Sequence, residues 1–314
     1  MPRRSPPRPA LSAGRATALA LALALVTSCT APEGGPPPAA RRAVTGSQLA
    51  QVQGDAAEQK LLFDAEERMI ATCMRERGRP YRPLAWHSRS PLPEEDPRNG
   101  DDVALRRRAG YGAAAAAAPP PPADPNGDHM RSLPREQRAR YGQALLGTAA
   151  HRIDVELPDG VAFLNADGCI ARAERRLYGD LATWLKAQMV VVNLEGEVSR
   201  RIFADKRVGR TVGPWRACMK AAGHAYSDPE AARAEFVEAY RASAERGAGR
   251  DGTARLRRRE VRVAVADALC DRRVGRSRVI RLLDRKHRGE LARERGQDIG
   301  TYRVLRERAL ARVE

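Results

Sequence analysis

The sequence predicts a mainly α fold: a single disulfide-stapled helical domain with one short β-hairpin near residues 153–164 and a long C-terminal helical segment. Three observations carry this expectation. From residue 47 onward, apolar side chains recur at helical spacing along most of the chain. Three Trp, seven Tyr and four Phe in 314 residues leave the core to Leu, Val and Ala. Four of the five cysteines, Cys73, Cys169, Cys218 and Cys270, lie far apart and form an even set once Cys29 is set aside.

The N-terminus reads as a targeting segment. Arg3, Arg4, Arg8 and Arg15 precede an apolar run at residues 16–26 made of Ala and Leu with one Thr and one Val. As a helix the run reaches only about 17 Å, well short of a hydrocarbon core of roughly 30 Å. Residues 1–28 therefore read as a cleaved signal peptide. Arg3-Arg4 raises twin-arginine export, but Ser-Pro-Pro follows in place of a hydrophobic stretch. The run ends in Val26-Thr27-Ser28-Cys29, which resembles the lipobox cut by the lipoprotein signal peptidase. That resemblance implies a mature chain beginning at Cys29 with diacylglycerol on its sulfur; the alternative is an ordinary secretory leader and a secreted chain. Residues 29–46, rich in Pro, Gly and Ala, read as a flexible tether with a reach of about 50 Å. No later run approaches 18 apolar residues, so the lipid is the expected membrane attachment.

The body, residues 47–314, opens with a helix over 47–78 that buries Leu62, Met69, Ile70, Cys73 and Met74. Five prolines between 80 and 97, then six alanines running into Pro119, Pro120, Pro121 and Pro122, predict a disordered low-complexity insert near 79–130. Pro134 and Glu136 start the next helix, which ends by Gly147. Alternation on both sides of Pro158-Asp159-Gly160 gives the hairpin. Asp167 is placed to cap a helix from Cys169 to the break at Gly179. A longer helix is expected over 180–208, a further one over 214–222 with Pro214 at its first position, and another after Asp228-Pro229. Val261, Ala264, Val265, Ala268 and Leu269 follow helical spacing beside Cys270. Val279, Ile280, Leu282, Leu283, Leu291 and Leu305 make a sparse apolar set toward the C-terminus.

An exported chain meets an oxidising compartment, so the four cysteines read as two disulfides, with three connectivities open. Zinc is the competing explanation, but no pair has CxxC spacing. An internal repeat orders the possibilities. Cys73-Met74-Arg75-Glu76-Arg77-Gly78-Arg79-Pro80-Tyr81 aligns with Cys218-Met219-Lys220-Ala221-Ala222-Gly223-His224-Ala225-Tyr226. Each copy ends a helix on a glycine, with the tyrosine placed to contact the methionine. If the copies mark two related halves, each Cys-Met helix bridges to the next cysteine in its own half. This favours Cys73 with Cys169 and Cys218 with Cys270.

The formal charge is +17, and residues 236–314 hold 22 Lys and Arg against 12 Asp and Glu. Such a basic segment suits anionic lipid or a cell-wall polymer. With only five lysines against 51 arginines, it equally suits a solvated surface in a composition biased toward arginine. Export argues against nucleic acid as the partner. No HExxH, GxSxG, Walker loop or GxGxxG is present, and His87, His129, His151, His224 and His287 are scattered, so no catalytic, cofactor or metal site is expected. An enzyme without a recognisable motif would need His151, Asp159 or Glu174 gathered in one pocket.

The lipobox, the two Cys-Met-x-x-x-Gly-x-x-Tyr segments, Asp167-Gly168-Cys169 leading to Leu177-Tyr178-Gly179, Asp124-Pro125-Asn126 and Asp267-x-x-Cys270 together resemble a group of uncharacterised actinobacterial (Streptomyces-type) secreted proteins and lipoproteins. The resemblance spans roughly residues 60–275 in scattered pieces, and the insert at 100–122 departs from the compact members. It implies a cell-surface location and a helical, disulfide-bonded fold, with no activity attached. The expected role is a binding or structural component of the cell envelope, held to the membrane by lipid and meeting an envelope protein or anionic polymer.

Overall fold

Local signals place most helix ends, and polar anchors place the rest. The computed structural model describes residues 46–49, 51–86, 95–118, 124–247 and 249–313. The leader, Cys29, the tether up to residue 45 and His87 lie outside the described residues. The expected helix over 47–78 is two: α1 (Gly46–Leu49) and α2 (Ala56–Glu76). The restart is a capping box, in which the Asp55 carboxylate accepts from the Glu58 amide at 2.9 Å and Glu58 accepts from the Asp55 amide at 3.1 Å.

Next come α3 (Val103–Ala109), α4 (Ala113–Ala116), α5 (Pro125–Ser132) and α6 (Arg135–Leu146). The antiparallel hairpin β1 (Arg152–Leu157) and β2 (Gly160–Asn165) pairs Arg152 with Asn165 and Leu157 with Gly160. After it run α7 (Cys169–Tyr178), α8 (Leu181–Ala204), α9 (Lys206–Ala221), α10 (Pro229–Glu245), α11 (Arg250–Val274), α12 (Arg276–Glu294) and α13 (Gly296–Val313). Among the described residues the fold is mainly α with one hairpin.

Two helix starts differ from expectation. Asp167 does not cap α7; its carboxylate accepts from the Thr148 amide at 2.8 Å and hydroxyl at 2.7 Å, and Gly168 takes the cap position without a side-chain bond. The expected helix over 180–208 stops at Ala204, because Asp205 accepts from the Arg207 amide at 2.8 Å and opens α9. Pro214 therefore lies inside α9 and leaves the Arg210 carbonyl without its helical donor.

Both bridges join the pairs that the repeat favours. Cys73–Cys169 staples α2 to α7 and Cys218–Cys270 staples α9 to α11, which removes these four residues from any zinc site. The two copies also share one cap. The Arg79 amide donates to Met74 O and the His224 amide to Met219 O, each at 2.9 Å, across Gly78 and Gly223 at φ +68° and +84°. Met74 and Met219 are fully buried, and Tyr81 and Tyr226 pack against the clusters that hold them.

Among the described residues of 236–314, the basic C-terminal segment packs into the body. Ile280, Leu283, Leu291 and Ile299 are fully buried and form one core with Val191, Leu194 and Val198 of α8. Leu269 and Leu282, read as part of the apolar set, are instead about half exposed, at 51% and 50%.

The largest correction concerns the insert. Within 79–130, residues 95–118 and 124–130 are folded, not disordered. Buried acids on α11 hold the first of these segments together with apolar packing, in which Tyr111 and Ala113 join Trp215, Phe236 and Val263 in one buried cluster. Glu260, with no exposed surface, accepts from the amides of Tyr111 and Ala113 at 2.8 and 3.1 Å and from the Tyr240 hydroxyl at 2.9 Å. Asp267 accepts from the Tyr111 hydroxyl at 3.0 Å and Trp215 Nε1 at 2.7 Å, and burial pushes its pKa up to about 6. Around them, Arg281 grips Asp101 at 2.8 Å and Arg98 reaches Asp284 at 3.0 Å. Gly110 passes Glu260 so closely, at φ +63°, that a Cβ would stand 2.8 Å from the carboxylate.

Candidate functional site

The Cys73–Cys169 bridge sets α2 and α7 side by side, running in opposite senses, so that Leu177 packs with Leu62 and Ala65. With the end of α13 they enclose an open groove of about 370 Å³. Arg68, Thr72 and Glu76 recur every fourth residue along α2 and form one wall. Arg172 and Arg176, also four apart, form the α7 wall, and Arg312 of α13 closes the end. Met69, Cys73 and Ala173 make the floor.

The groove is electrostatically unbalanced. Arg172 pairs with Glu76 at 2.9 Å, an exposed contact worth at most about 1 kcal/mol. Arg312 donates to the carbonyls of Leu177 and Arg176, where the dipole of α7 favours a cation. Among the described residues neither Arg68 nor Arg176 pairs with a carboxylate. Four guanidinium groups thus face one carboxylate on a frame stiffened by a disulfide, an arrangement able to hold an anion.

A second groove, of about 640 Å³, lies beside Cys218–Cys270 between α9 and α11. Counted from their cysteines, both grooves use positions −8, −4, −1 and +3 of the first helix and +3 and +4 of the second. In the second groove these are Arg210, Pro214, Ala217, Ala221, Arg273 and Val274. The internal repeat therefore extends from sequence to surface shape. The second copy is poorer in charge, with Gly213 and Ser277 where the first has Arg68 and Arg176.

The same helices share a buried polar and aromatic layer. Tyr178 stacks on Trp184 with centroids 3.5 Å apart, and Tyr302 also stacks with Trp184 at 5.4 Å. Trp184 Nε1 donates to Glu174 at 3.3 Å. Burial, followed by the charges of Glu174 and Glu67, pushes Glu66 up to about 8.

The residues an enzyme would have needed together are not together. His151 stands before β1, 3.3 Å from Asp167, and Asp159 sits in the hairpin turn, paired with Arg200 at 2.9 Å. Six strand residues, about 20 Å, separate those two ends. Glu174 is in the core beneath Trp184. Among the described residues no group of three His, Cys, Asp or Glu could hold a metal ion, and no helix is long and apolar enough to cross a membrane. Sequence reasoning missed the groove arginines. Their one signal was an arginine three residues after the second cysteine of each pair, Arg172 and Arg273. No family model, curated protein or solved structure matches the chain.

Proposed function

We propose that the chain is an extracytoplasmic lipoprotein, anchored by lipid on Cys29, that serves as a binding component of the cell envelope with the arginine groove as its contact surface. The observation that carries this reading is the bonding of Cys73, Cys169, Cys218 and Cys270 in two bridges, which leaves Cys29 as the one cysteine outside the pairs. Bridges of this kind persist in oxidising compartments, and the leader ending in Val26-Thr27-Ser28-Cys29 supplies a route to one. The resemblance of the repeated segment to actinobacterial secreted lipoproteins agrees with that address.

Intact mass of the membrane-extracted protein tests it. The expected species lacks residues 1–28, carries diacylglycerol at Cys29, and gains four hydrogens on reduction. A chain that keeps its leader, or a cleaved chain with free Cys29, counts against the anchor. The Cys29→Ala chain should be released or left uncleaved, with both bridges intact.

A second reading has one observation in its favour. Arg255, Arg258 and Arg262 lie on the exposed side of α11 with Leu269, a pattern suited to the surface of an anionic membrane. It predicts salt-sensitive binding to anionic vesicles and loss of that binding on vesicles of neutral lipid.

A further inference from the structure

We infer that the groove between α2, α7 and α13 binds a linear, phosphate-bearing polyanion. The inference rests on the reading of the chain as a binding protein and not on the lipid anchor.

Length and charge distribution decide between a single ion and a polymer. From Ala65 to Glu76 the α2 wall runs about 16 Å. The groove's guanidinium groups are spread along that length: Arg172 of α7 beside Glu76 near the bridge, Arg68 of α2 one turn below Thr72, and Arg312 of α13 at the far end of α7. One small ion reaches only part of such a row, whereas a chain of phosphates spans it. Arg172 and Arg176 stand four apart on one helix, a like-charge spacing that destabilises the empty helix and that a bound anion relieves. Arginine forks match the oxygens of a phosphate two at a time. The matching groove beside Cys218–Cys270 has the same frame without the arginine row, so it serves as an internal comparison.

The test is calorimetric titration of the purified full chain with a short linear polyphosphate, set against inorganic phosphate and glycerol 3-phosphate, the latter standing for a lipid headgroup. The Arg68→Ala/Arg176→Ala pair should weaken polyphosphate binding about tenfold or more and flatten its salt dependence. The Arg210→Ala/Arg273→Ala pair, which removes the same charge from the other groove, should change it less than about twofold. All four arginines are exposed, and a melting curve together with two intact bridges confirms the fold of each variant. Equal losses from both pairs, or no polyphosphate binding by the unaltered chain, overturns the site. Binding of inorganic phosphate or glycerol 3-phosphate as tight as that of the polymer overturns the assignment to a linear chain. If titration fails while intact mass finds lipid on Cys29, the ligand falls and the envelope address stands.

Discussion

Replacing Glu260 by Ala should loosen a whole segment and not just one contact. The carboxylate has no exposed surface and accepts from two amides, Tyr111 and Ala113, from the Tyr240 hydroxyl, and from Arg257 at 3.2 Å. Removing it strands three neutral donors in a buried site, at about 1 kcal/mol or more each. Arg257 is partly exposed and keeps the carbonyls of Arg108 and Ala109 as acceptors, so its loss is small, below about 1 kcal/mol. The sum is about 3–4 kcal/mol, a large share of the roughly 5–15 kcal/mol that holds a domain together. Urea unfolding reads the total, and hydrogen exchange reads the place. The amides of Tyr111 and Ala113 should lose protection well before those of α2 and α7. A loss below about 1 kcal/mol, or unchanged protection at 111–113, would refute docking by buried acids.

Below pH 4.5 the folded and unfolded chains both protonate Glu66; between 4.5 and about 8 only the folded chain keeps the proton, so stability falls as pH rises and levels off above 8. Glu66→Gln should remove that slope and gain on the order of 4 kcal/mol at pH 8, read by denaturant titration across pH; an unchanged slope would contradict the burial of Glu66. Loop entropy over separations of 96 and 52 residues assigns about 4.7 kcal/mol to Cys73–Cys169 and about 4.1 kcal/mol to Cys218–Cys270. Paired Cys→Ala variants should therefore both melt lower, and a bridge whose removal leaves the melting temperature in place is not structural. Gly110→Ala should undock the 95–118 segment, seen as new protease cuts there, because of its positive φ and the nearness of Glu260. Gly142→Ala, in open space on α6, should stabilise by about 0.5–1 kcal/mol.

What the sequence made legible was whatever short-range chemistry writes into neighbouring residues. The repeated Cys-Met-x-x-x-Gly-x-x-Tyr encodes a helix end whose cap bonds lie within six residues, so the bridges and both caps could be read from it. The hairpin was legible for the same reason. The insert was not, because its anchors lie about 150 positions away on α11, where Glu260, Asp267 and Asp271 share the buried face of Val263, Ala264 and Ala268. A rule that sends acids to solvent places those three outside. The groove was hidden differently: among 51 arginines, the few that face one cleft differ from the rest only in what surrounds them.

The docking of residues 95–118 ties the two halves of the chain in time as well as in space. That segment belongs to the span closed by Cys73–Cys169, yet its seat is on α11, inside the span closed by Cys218–Cys270. A polypeptide that emerges N-terminus first has made the segment long before residue 260 exists to receive it. Until α11 arrives, Tyr111 lacks the carboxylates of Glu260 and Asp267 that accept its amide and hydroxyl, and the packing of the first half is incomplete.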